Sequence, residues 1–159
     1  MAKVILICGK ICCGKSTYAK NLRSQNNAVV LSVDEIMLAL FGQYVGEKHD
    51  EYCENLQKYL FKKSLELIET GTNVILDWGF WQRDEREEAK SFFERRNINC
   101  ELHYIDISDQ AWAERVKKRN LTTEHGEPTD YYIDENLAKK FNSMFEPPSE
   151  EEFDKCIKG

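Results

Sequence analysis

A phosphate-binding motif directly after a buried strand is the feature that most constrains the fold of this chain. Residues 9–17 read G-K-I-C-C-G-K-S-T, which fits the pattern G-x-x-x-x-G-K-S, and they follow the apolar run of residues 4–8. Gly9 and Gly14 let the backbone approach an anion without a Cβ in the way, and inward-pointing N–H groups can cradle phosphate oxygens. The motif therefore predicts a strand, a tight loop and a helix start that together bind the phosphates of a nucleotide.

Each part of this loop has an expected role in binding ATP with Mg²⁺. Lys15 is expected to reach the β- and γ-phosphates and to act in catalysis, and the hydroxyl of Ser16 is expected to ligate Mg²⁺, which takes oxygen ligands. The helix that begins at Lys15 adds unpaired N–H groups and the positive end of its dipole. The residues expected to bind the nucleotide here are Gly9, Lys10, Ile11, Cys12, Cys13, Gly14, Lys15, Ser16 and Thr17.

The composition favours one soluble domain over residues 1–159. Its 42% hydrophobic content is ordinary for such a domain, and no apolar stretch approaches the roughly 18 residues of a membrane span. The net charge of −6 argues against general nucleic-acid affinity. A first strand that begins at residue 3 or 4 leaves no room for a targeting peptide, so we expect a cytoplasmic protein with six reduced cysteines.

Short apolar runs alternate with helical periodicity, which predicts βαβ units around a parallel sheet. Strands are expected at residues 4–8, 28–31, 73–76 and 100–105, with a final strand near 153–157. Helices are expected at about 15–24, 34–41, 50–69, 83–96, 109–120 and 131–145. The polar stretch at about 121–131, which contains a glycine and a proline, is interpreted as a lid.

Asp34 follows the second predicted strand, at the carboxyl edge of the sheet where ligands of open parallel sheets bind. A carboxylate there can orient an attacking hydroxyl or accept its proton. Asp34 is therefore a candidate catalytic base and substrate-binding residue. An N-cap for the following helix is the alternative, and the two roles are compatible.

Asp77 ends the apolar run of residues 74–77, beside the phosphate-binding loop. An acid in this position can hold Mg²⁺ directly or through water and can border the substrate. The next residue is Trp78 rather than a second acid that would polarise water, which favours transfer to a bound acceptor over a motor-type ATPase. The alternative is a capping Asp in the turn that follows.

Four arginines are candidates for binding anionic groups through their planar forks. Arg83 and Arg86 lie one turn apart at the start of a predicted helix and are expected to face the same edge of the sheet and bind substrate. Pairing with neighbouring acids on the surface is the alternative. Arg115 and Arg119 precede the predicted lid and are expected to grip ATP phosphates or stack on adenine, with Arg119 also catalytic; compensation of the helix dipole is the alternative.

The combination resembles the small P-loop predicted-kinase family of AAA-33-like ATP-binding proteins, relatives of polynucleotide kinase, chloramphenicol phosphotransferase and zeta toxin. The resemblance is carried by residues 4–17, 32–34, 74–81 with Arg86, 115–120 and 145–148. It implies an α/β P-loop NTPase fold, with a five-stranded parallel sheet in the order 2-3-1-4-5, helices on both faces and a short lid. It also implies that Asp34 is the acid on the acceptor side, that Arg119 is a lid residue and that residues 145–147 border adenine.

Cys12 and Cys13 depart from the family pattern, since many relatives carry glycine or serine there. A thiol close to bound phosphates lies in a positive field that favours the thiolate, so redox sensitivity is a hypothesis for this pair.

The predicted function is an ATP-dependent phosphotransferase that uses Mg²⁺ and transfers the γ-phosphoryl group to a hydroxyl of a small molecule or nucleotide. Two alternatives stay open: an ATP-binding or ATP-hydrolysing switch module with a protein partner, and a polynucleotide 5′-hydroxyl kinase. A GTP switch is disfavoured because the chain has no N-K-x-D guanine-reading motif. The sequence leaves the acceptor and the oligomeric state open.

Overall fold

The computed structural model describes residues 1–125 and 133–159, and the side chains of all of these except 122–125. The strands are β1 (Val4–Cys8), β2 (Ala28–Ser32), β3 (Asn73–Gly79), β4 (Cys100–Asp106) and β5 (Lys155–Lys158). The α-helices are α1 (Lys15–Asn26), α2 (Val33–Phe41), α3 (His49–Glu69), α4 (Arg83–Glu94), α5 (Asp109–His125) and α6 (Glu135–Met144), with a 3-10 helix at Gly46–Lys48. Among the described helices, none has the length and apolar character needed to cross a membrane.

The five strands form one parallel sheet in the order β2-β3-β1-β4-β5, which confirms the predicted order. Its central strand β1 is 0% exposed at every residue, as expected for a parallel strand covered on both faces. Residues of α1, α5 and α6 pack on one face of the sheet, and residues of α3 and α4 pack on the other. Cys8 is the register partner of both Gly79 and Tyr104, so the carboxyl ends of the three central strands lie at one edge.

Three elements differ from their predicted bounds by three residues or more. Strand β3 ends at Gly79 rather than at residue 76, which places Asp77 inside the strand. Helix α5 continues to His125 because the chain has no helix breaker before Gly126. The first part of the predicted lid is therefore helical, and its residues 126–131 lie outside the described residues. Helix α6 begins at residue 135 rather than 131, because the Asp134 side chain caps it by accepting from Leu137 N at 2.7 Å.

A chain of polar side chains runs from α1 to β4. Tyr18 Oη lies 2.9 Å from His103 Nδ1, His103 Nε2 lies 3.1 Å from Glu101, and Lys3 Nζ donates to Glu101 at 2.7 Å. Because an ionised carboxylate only accepts, His103 Nε2 donates to Glu101; in the neutral imidazole the other ring nitrogen, Nδ1, then accepts from the Tyr18 hydroxyl. This pattern requires the neutral imidazole. Burial lowers the pKa of His103 below its ordinary value, although Glu101 opposes that shift.

Acidification should destabilise the fold through His103. In the unfolded chain His103 has the ordinary pKa of about 6.5, whereas in the folded chain its pKa is lower. The unfolded state therefore binds more protons as the pH falls below about 6.5, and the free energy of unfolding decreases. We expect the urea midpoint to fall between pH 7 and pH 5.5, and the variant H103Q to fall less. Equal pH slopes in the two proteins would contradict this assignment.

Candidate active site

The phosphate-binding loop joins β1 to α1 at the carboxyl edge of the sheet. Gly9 N donates to Gly79 O at 3.1 Å, which fastens the loop to the end of β3. Cys13 N donates to Lys10 O at 3.2 Å and closes a turn. Gly14, at φ +101°, is the N-cap of α1 and has no side chain to cap the helix. The first N–H groups of α1 lack intrahelical acceptors, as an anion site at a helix start requires.

Gly9 is required for packing as well as for approach to phosphate. A Cβ on Gly9 would lie 2.5 Å from Cys13 Sγ and 3.2 Å from Ile105 O, and Cys13 is only 1% exposed. The loop is therefore folded over its own buried cysteine, a contact that the spacing of the motif does not reveal. The neighbouring Cys12 has φ +60°, a region that side chains with a Cβ rarely adopt.

Lys15, Ser16 and Asp77 meet at the start of α1. Lys15 Nζ donates to Gly9 O at 3.2 Å and to Lys10 O at 2.7 Å, so its ammonium group lies against the loop. Ser16 Oγ donates to Asp77 Oδ2 at 3.1 Å. This bond, and the position of Asp77 inside β3, exclude the alternative in which Asp77 only caps a turn.

The pair Ser16 and Asp77 fits a magnesium site. Asp77 is 5% exposed, and burial raises the pKa of its carboxyl group, while Lys15 and Ser16 oppose that rise. A hydroxyl beside a carboxylate is the oxygen ligand set that Mg²⁺ takes. A bound cation would also stabilise the charged form of Asp77, which burial disfavours.

Asp34 lies at the same edge of the sheet as Asp77. Ser32 is the register partner of Asp77, and Asp34 follows two residues later in the first turn of α2. Ser32 caps this helix, because Ser32 Oγ accepts from Glu35 N at 3.3 Å. The alternative interpretation of Asp34 as the N-cap is therefore wrong. The exposed Asp34 stays the predicted acid on the acceptor side.

One face of α5 lies along the loop. Three side chains at positions i, i+3 and i+7 make the contacts: Trp112 Nε1 to Ile11 O (2.6 Å), Arg115 Nη1 to Cys13 O (2.7 Å) and Arg119 Nη1 to Cys12 Sγ (2.8 Å). Because α5 continues to His125, Arg115 and Arg119 lie before its last turn, where dipole compensation does not explain them. Phosphate binding by these two arginines stays a prediction, and it is consistent with their contact with the loop.

Arg86 is a buried structural residue, and the expectation that it binds substrate is corrected. The side chain is 2% exposed. Its Nη1 donates to Phe80 O (3.0 Å), Trp81 O (3.2 Å) and Glu146 O (2.9 Å), and its Nε donates to Glu152 (3.0 Å). These bonds tie the turn after β3 to the segment after α6. The sequence pattern could not show that Arg86 and Arg83 have different roles, because the partners of Arg86 are distant in the chain.

Arg83 pairs with a neighbouring acid on the surface, as the alternative interpretation of this residue predicted. Its Nε lies 2.7 Å from Glu87, and its side chain is 60% exposed. Substrate binding by Arg83 stays a prediction with no contact to support it.

Two residues where β3 ends have left-handed backbone conformations that the sequence analysis did not predict. Gly79 has φ +91°, and a Cβ there would lie 2.5 Å from Trp81 Nε1. Phe80 has φ +46° and is 1% exposed, so a buried aromatic occupies a left-handed conformation. Such a conformation persists only where the surroundings fix it, and here the Phe80 carbonyl accepts from Arg86. The only sequence signal is the glycine beside three aromatic residues.

Phe145 is mostly buried in the core, so little of its side chain is accessible to an adenine base. It is 8% exposed, and its ring centroid lies 6.3 Å from that of Tyr104. Of the predicted adenine segment, Glu146 and Pro147 are exposed. Glu146 is also bonded to the turn after β3, because its N–H donates to Trp81 O at 2.8 Å. The contact with adenine stays a prediction.

The cysteines are free thiols, and the hypothesis of a thiolate is contradicted at Cys13. Burial raises the pKa of the Cys13 thiol, and Lys15 only partly opposes that rise. Burial likewise raises the pKa of Cys8, in the strand before the loop, to about 12. The positive field of the loop is therefore outweighed by the desolvation of the Cys13 sulfur.

Solved structures share this fold. A candidate kinase from Chloroflexus aurantiacus j-10-fl has a TM-score of 0.74 at 15% identity, covering 99% of this chain and 84% of that chain. A chain of the Pnkp1/Rnl/Hen1 RNA repair complex has a TM-score of 0.71 at 22% identity, covering 90% of this chain and 43% of that chain. The APS kinase CysC of Mycobacterium tuberculosis, solved with AMPPNP and APS, has a TM-score of 0.64 at 17% identity, with coverages of 99% and 88%. No curated protein matches the chain.

The sheet order, the loop and these likenesses define the class as a protein with the P-loop kinase fold. Residues 4–148 match the AAA_33 family, described as an AAA domain, and the chain belongs to this family.

Replacing Gly9 by Ala should destabilise the loop, and removal of Cys13 Sγ should relieve that effect. Because the new Cβ meets Sγ at 2.5 Å, we expect G9A to lower the free energy of unfolding by about 1–3 kcal/mol, the usual cost of overpacking. In a C13A background the cost should fall to roughly half or less. Urea denaturation of the four proteins measures this coupling, and equal costs in both backgrounds would contradict it.

Replacing Arg86 by Met should strongly destabilise the protein. The change leaves Glu152 and the carbonyls of Phe80 and Trp81 without their buried donor, so we expect a loss of about 3–5 kcal/mol in the free energy of unfolding. The matched control is R83M on the same helix, which removes only an exposed ion pair and should leave the free energy of unfolding almost unchanged. Urea denaturation compares the two, and similar losses would refute the structural role of Arg86.

Proposed function

We propose that this protein is an ATP-dependent phosphotransferase that moves the γ-phosphoryl group to a hydroxyl of a small molecule or nucleotide. The observation that most directly supports this proposal concerns one edge of the sheet, around the start of α1. Four predicted site residues lie there: Lys15, Ser16, Asp77 and Asp34. The APS kinase fold and the membership in the AAA_33 family support the proposal. Trp78 stands where a hydrolytic machine would carry a second acid, which supports transfer over hydrolysis.

The loop side of the site binds and polarises the triphosphate. Lys15 exchanges the carbonyls of Gly9 and Lys10 for the β- and γ-phosphates, and the N–H groups at the start of α1 bind their oxygens. Arg115 and Arg119, which contact the loop from α5, add positive charge where negative charge develops. Ser16 and Asp77 would hold Mg²⁺, which would supply positive charge that offsets the charge of the phosphates.

The acceptor side moves a proton. The carboxylate of Asp34 accepts the proton of the acceptor hydroxyl while the hydroxyl oxygen forms its bond to the γ-phosphorus. The bond from the γ-phosphorus to the bridging oxygen breaks, and ADP leaves with that oxygen. The protein otherwise contributes positioning and charge, which supply most of the catalysis of phosphoryl transfer.

Two substitutions separate binding from transfer. K15A should lose ATP binding and transfer together, whereas D34N should keep ATP binding and lose acceptor-stimulated turnover by about 100-fold or more. K20A, at an exposed position of the same helix α1, is the matched control and should behave as wild type. ADP formation with Mg²⁺ and a panel of hydroxyl compounds measures turnover, and calorimetry with AMPPNP measures binding.

Retained transfer in K15A would refute this mechanism. ATP turnover that no hydroxyl compound accelerates would instead favour the switch module with a protein partner.

A further inference from the structure

Residues 10–13 of the phosphate-binding loop form a type II β-turn. Cys13 N donates to Lys10 O at 3.2 Å, so Ile11 and Cys12 are the two central residues of this turn. Of these two, only Cys12 has a positive φ, at +60°. A positive φ at the second central residue alone is the feature that distinguishes type II from types I, I′ and II′.

This turn type is unfavourable for the residue at position 12. The positive φ normally requires glycine, because a Cβ comes too close to the neighbouring backbone in that conformation. In a type I turn Cys12 would have a negative φ, and the peptide between Ile11 and Cys12 would be turned over, since ψ of the first central residue and φ of the second change together. A contact from outside the turn is therefore needed to hold this peptide in its observed orientation.

Trp112 in the first turn of α5 makes such a contact. Its indole Nε1 donates at 2.6 Å to Ile11 O, the carbonyl oxygen of the peptide whose orientation differs between the two turn types. The Trp112 side chain is 9% exposed and belongs to the core cluster on this face of the sheet. Lys10 Nζ lies 5.5 Å from the ring centroid and pairs with Asp109 at 2.9 Å. The core on one side and Lys10 on the other thus fix the indole donor.

The orientation of this carbonyl determines where an N–H group of the loop points. Because a trans peptide is planar, the C=O of Ile11 and the N–H of Cys12 point in opposite directions. With the carbonyl turned towards α5, the N–H of Cys12 points away from that helix. Arg115 repeats the arrangement, since its Nη1 donates to Cys13 O at 2.7 Å and the N–H of Gly14 then also points away from α5. Successive N–H groups turned to one side are what a phosphate cradle requires.

We propose that Trp112 is a positioning residue for phosphate binding, whose indole N–H holds the peptide between Ile11 and Cys12 so that the N–H of Cys12 faces the triphosphate. This inference rests on the proposed function, in which the loop binds ATP. Trp112 acts through the loop, because its donor is occupied by Ile11 O. The same hydrogen bond explains how the loop accommodates cysteine at position 12, since it offsets the unfavourable φ.

The first experiment removes only the indole donor. Site-specific incorporation of the benzothiophene analogue of tryptophan at position 112 keeps the bicyclic shape and replaces the N–H group by sulfur. Calorimetry with Mg²⁺ gives Kd for AMPPNP and for pyrophosphate, which probes the loop without adenine. We expect both Kd values to rise by about threefold to tenfold, the usual net contribution of one hydrogen bond, with an unchanged circular dichroism spectrum.

The matched control for a loss of core packing is V116A. Val116 lies one turn further along α5, is also 9% exposed and belongs to the same core cluster, but its side chain has no hydrogen-bond donor. V116A should lower the urea midpoint and leave both Kd values unchanged under conditions where the protein is fully folded. An equal loss of affinity in V116A and in the analogue would overturn the inference, because loosened packing of α5 would then explain both.

The second experiment tests the link with Cys12. Glycine adopts a positive φ readily, so in C12G the turn should keep its orientation without help from Trp112. Relative to C12G alone, the analogue in that background should raise Kd for pyrophosphate by less than about twofold. Losses of equal size in the two backgrounds would show that Trp112 does not offset the φ of Cys12.

The outcomes separate this inference from the proposed function. Unchanged Kd values for the analogue would overturn the positioning role of Trp112 and leave the phosphotransferase intact. If the unmodified protein bound neither AMPPNP nor pyrophosphate, the inference and the proposed function would be refuted together.

Discussion

Strand β1 is buried on both faces and paired on both edges, and every group of the candidate site is positioned from its carboxyl end. Gly9, the residue that follows β1, donates to Gly79 O and so fixes the loop beside β3, the strand that carries Asp77. On the other side, β4 leads into α5, whose arginines reach the loop. Because the strands are parallel and in register, one buried strand brings residues from positions 9 to 119 to a single edge.

The position of Asp77 also depends on residues far from it in the chain. Two residues after Asp77, the backbone enters a left-handed turn at Gly79 and Phe80. Arg86 holds the carbonyl of Phe80, and Glu152 in turn pairs with Arg86. The segment after α6 therefore supports the shape of the turn beside the candidate magnesium site, although it contributes no ligand to that site.

Much of this arrangement could be predicted from the sequence, because local patterns determine it. The phosphate-binding motif and the apolar runs predicted the loop and the alternation of strands and helices, since both depend on residues that are neighbours in the chain. The confirmed strand order was implied by the family resemblance rather than by these local patterns. The buried role of Arg86 could not be predicted in this way, because its acceptors come from residues 80, 81, 146 and 152.

The burial of Cys13 in the loop and the end of α5 were not predicted from the sequence either. The spacing of the motif gives no sign that Cys13 is buried beneath Gly9, since that contact depends on how the loop packs on Ile105. The end of α5 was placed too early because polar residues were interpreted as a loop, although nothing before Gly126 prevents a helix. The acceptor could not be predicted from local patterns, because the surface around Asp34 forms only when α2, α3 and β3 come together.

The two carboxylates in the first turn of α2 also bear on how a reaction cycle would end. Phosphorylation gives a hydroxyl compound about −1.5 to −2 additional charge at neutral pH. In the proposed reaction, this charge would form beside Asp34 and Glu35. Product departure limits the turnover of many enzymes. Repulsion between the phosphorylated product and these two carboxylates would then favour departure of the product after the transfer.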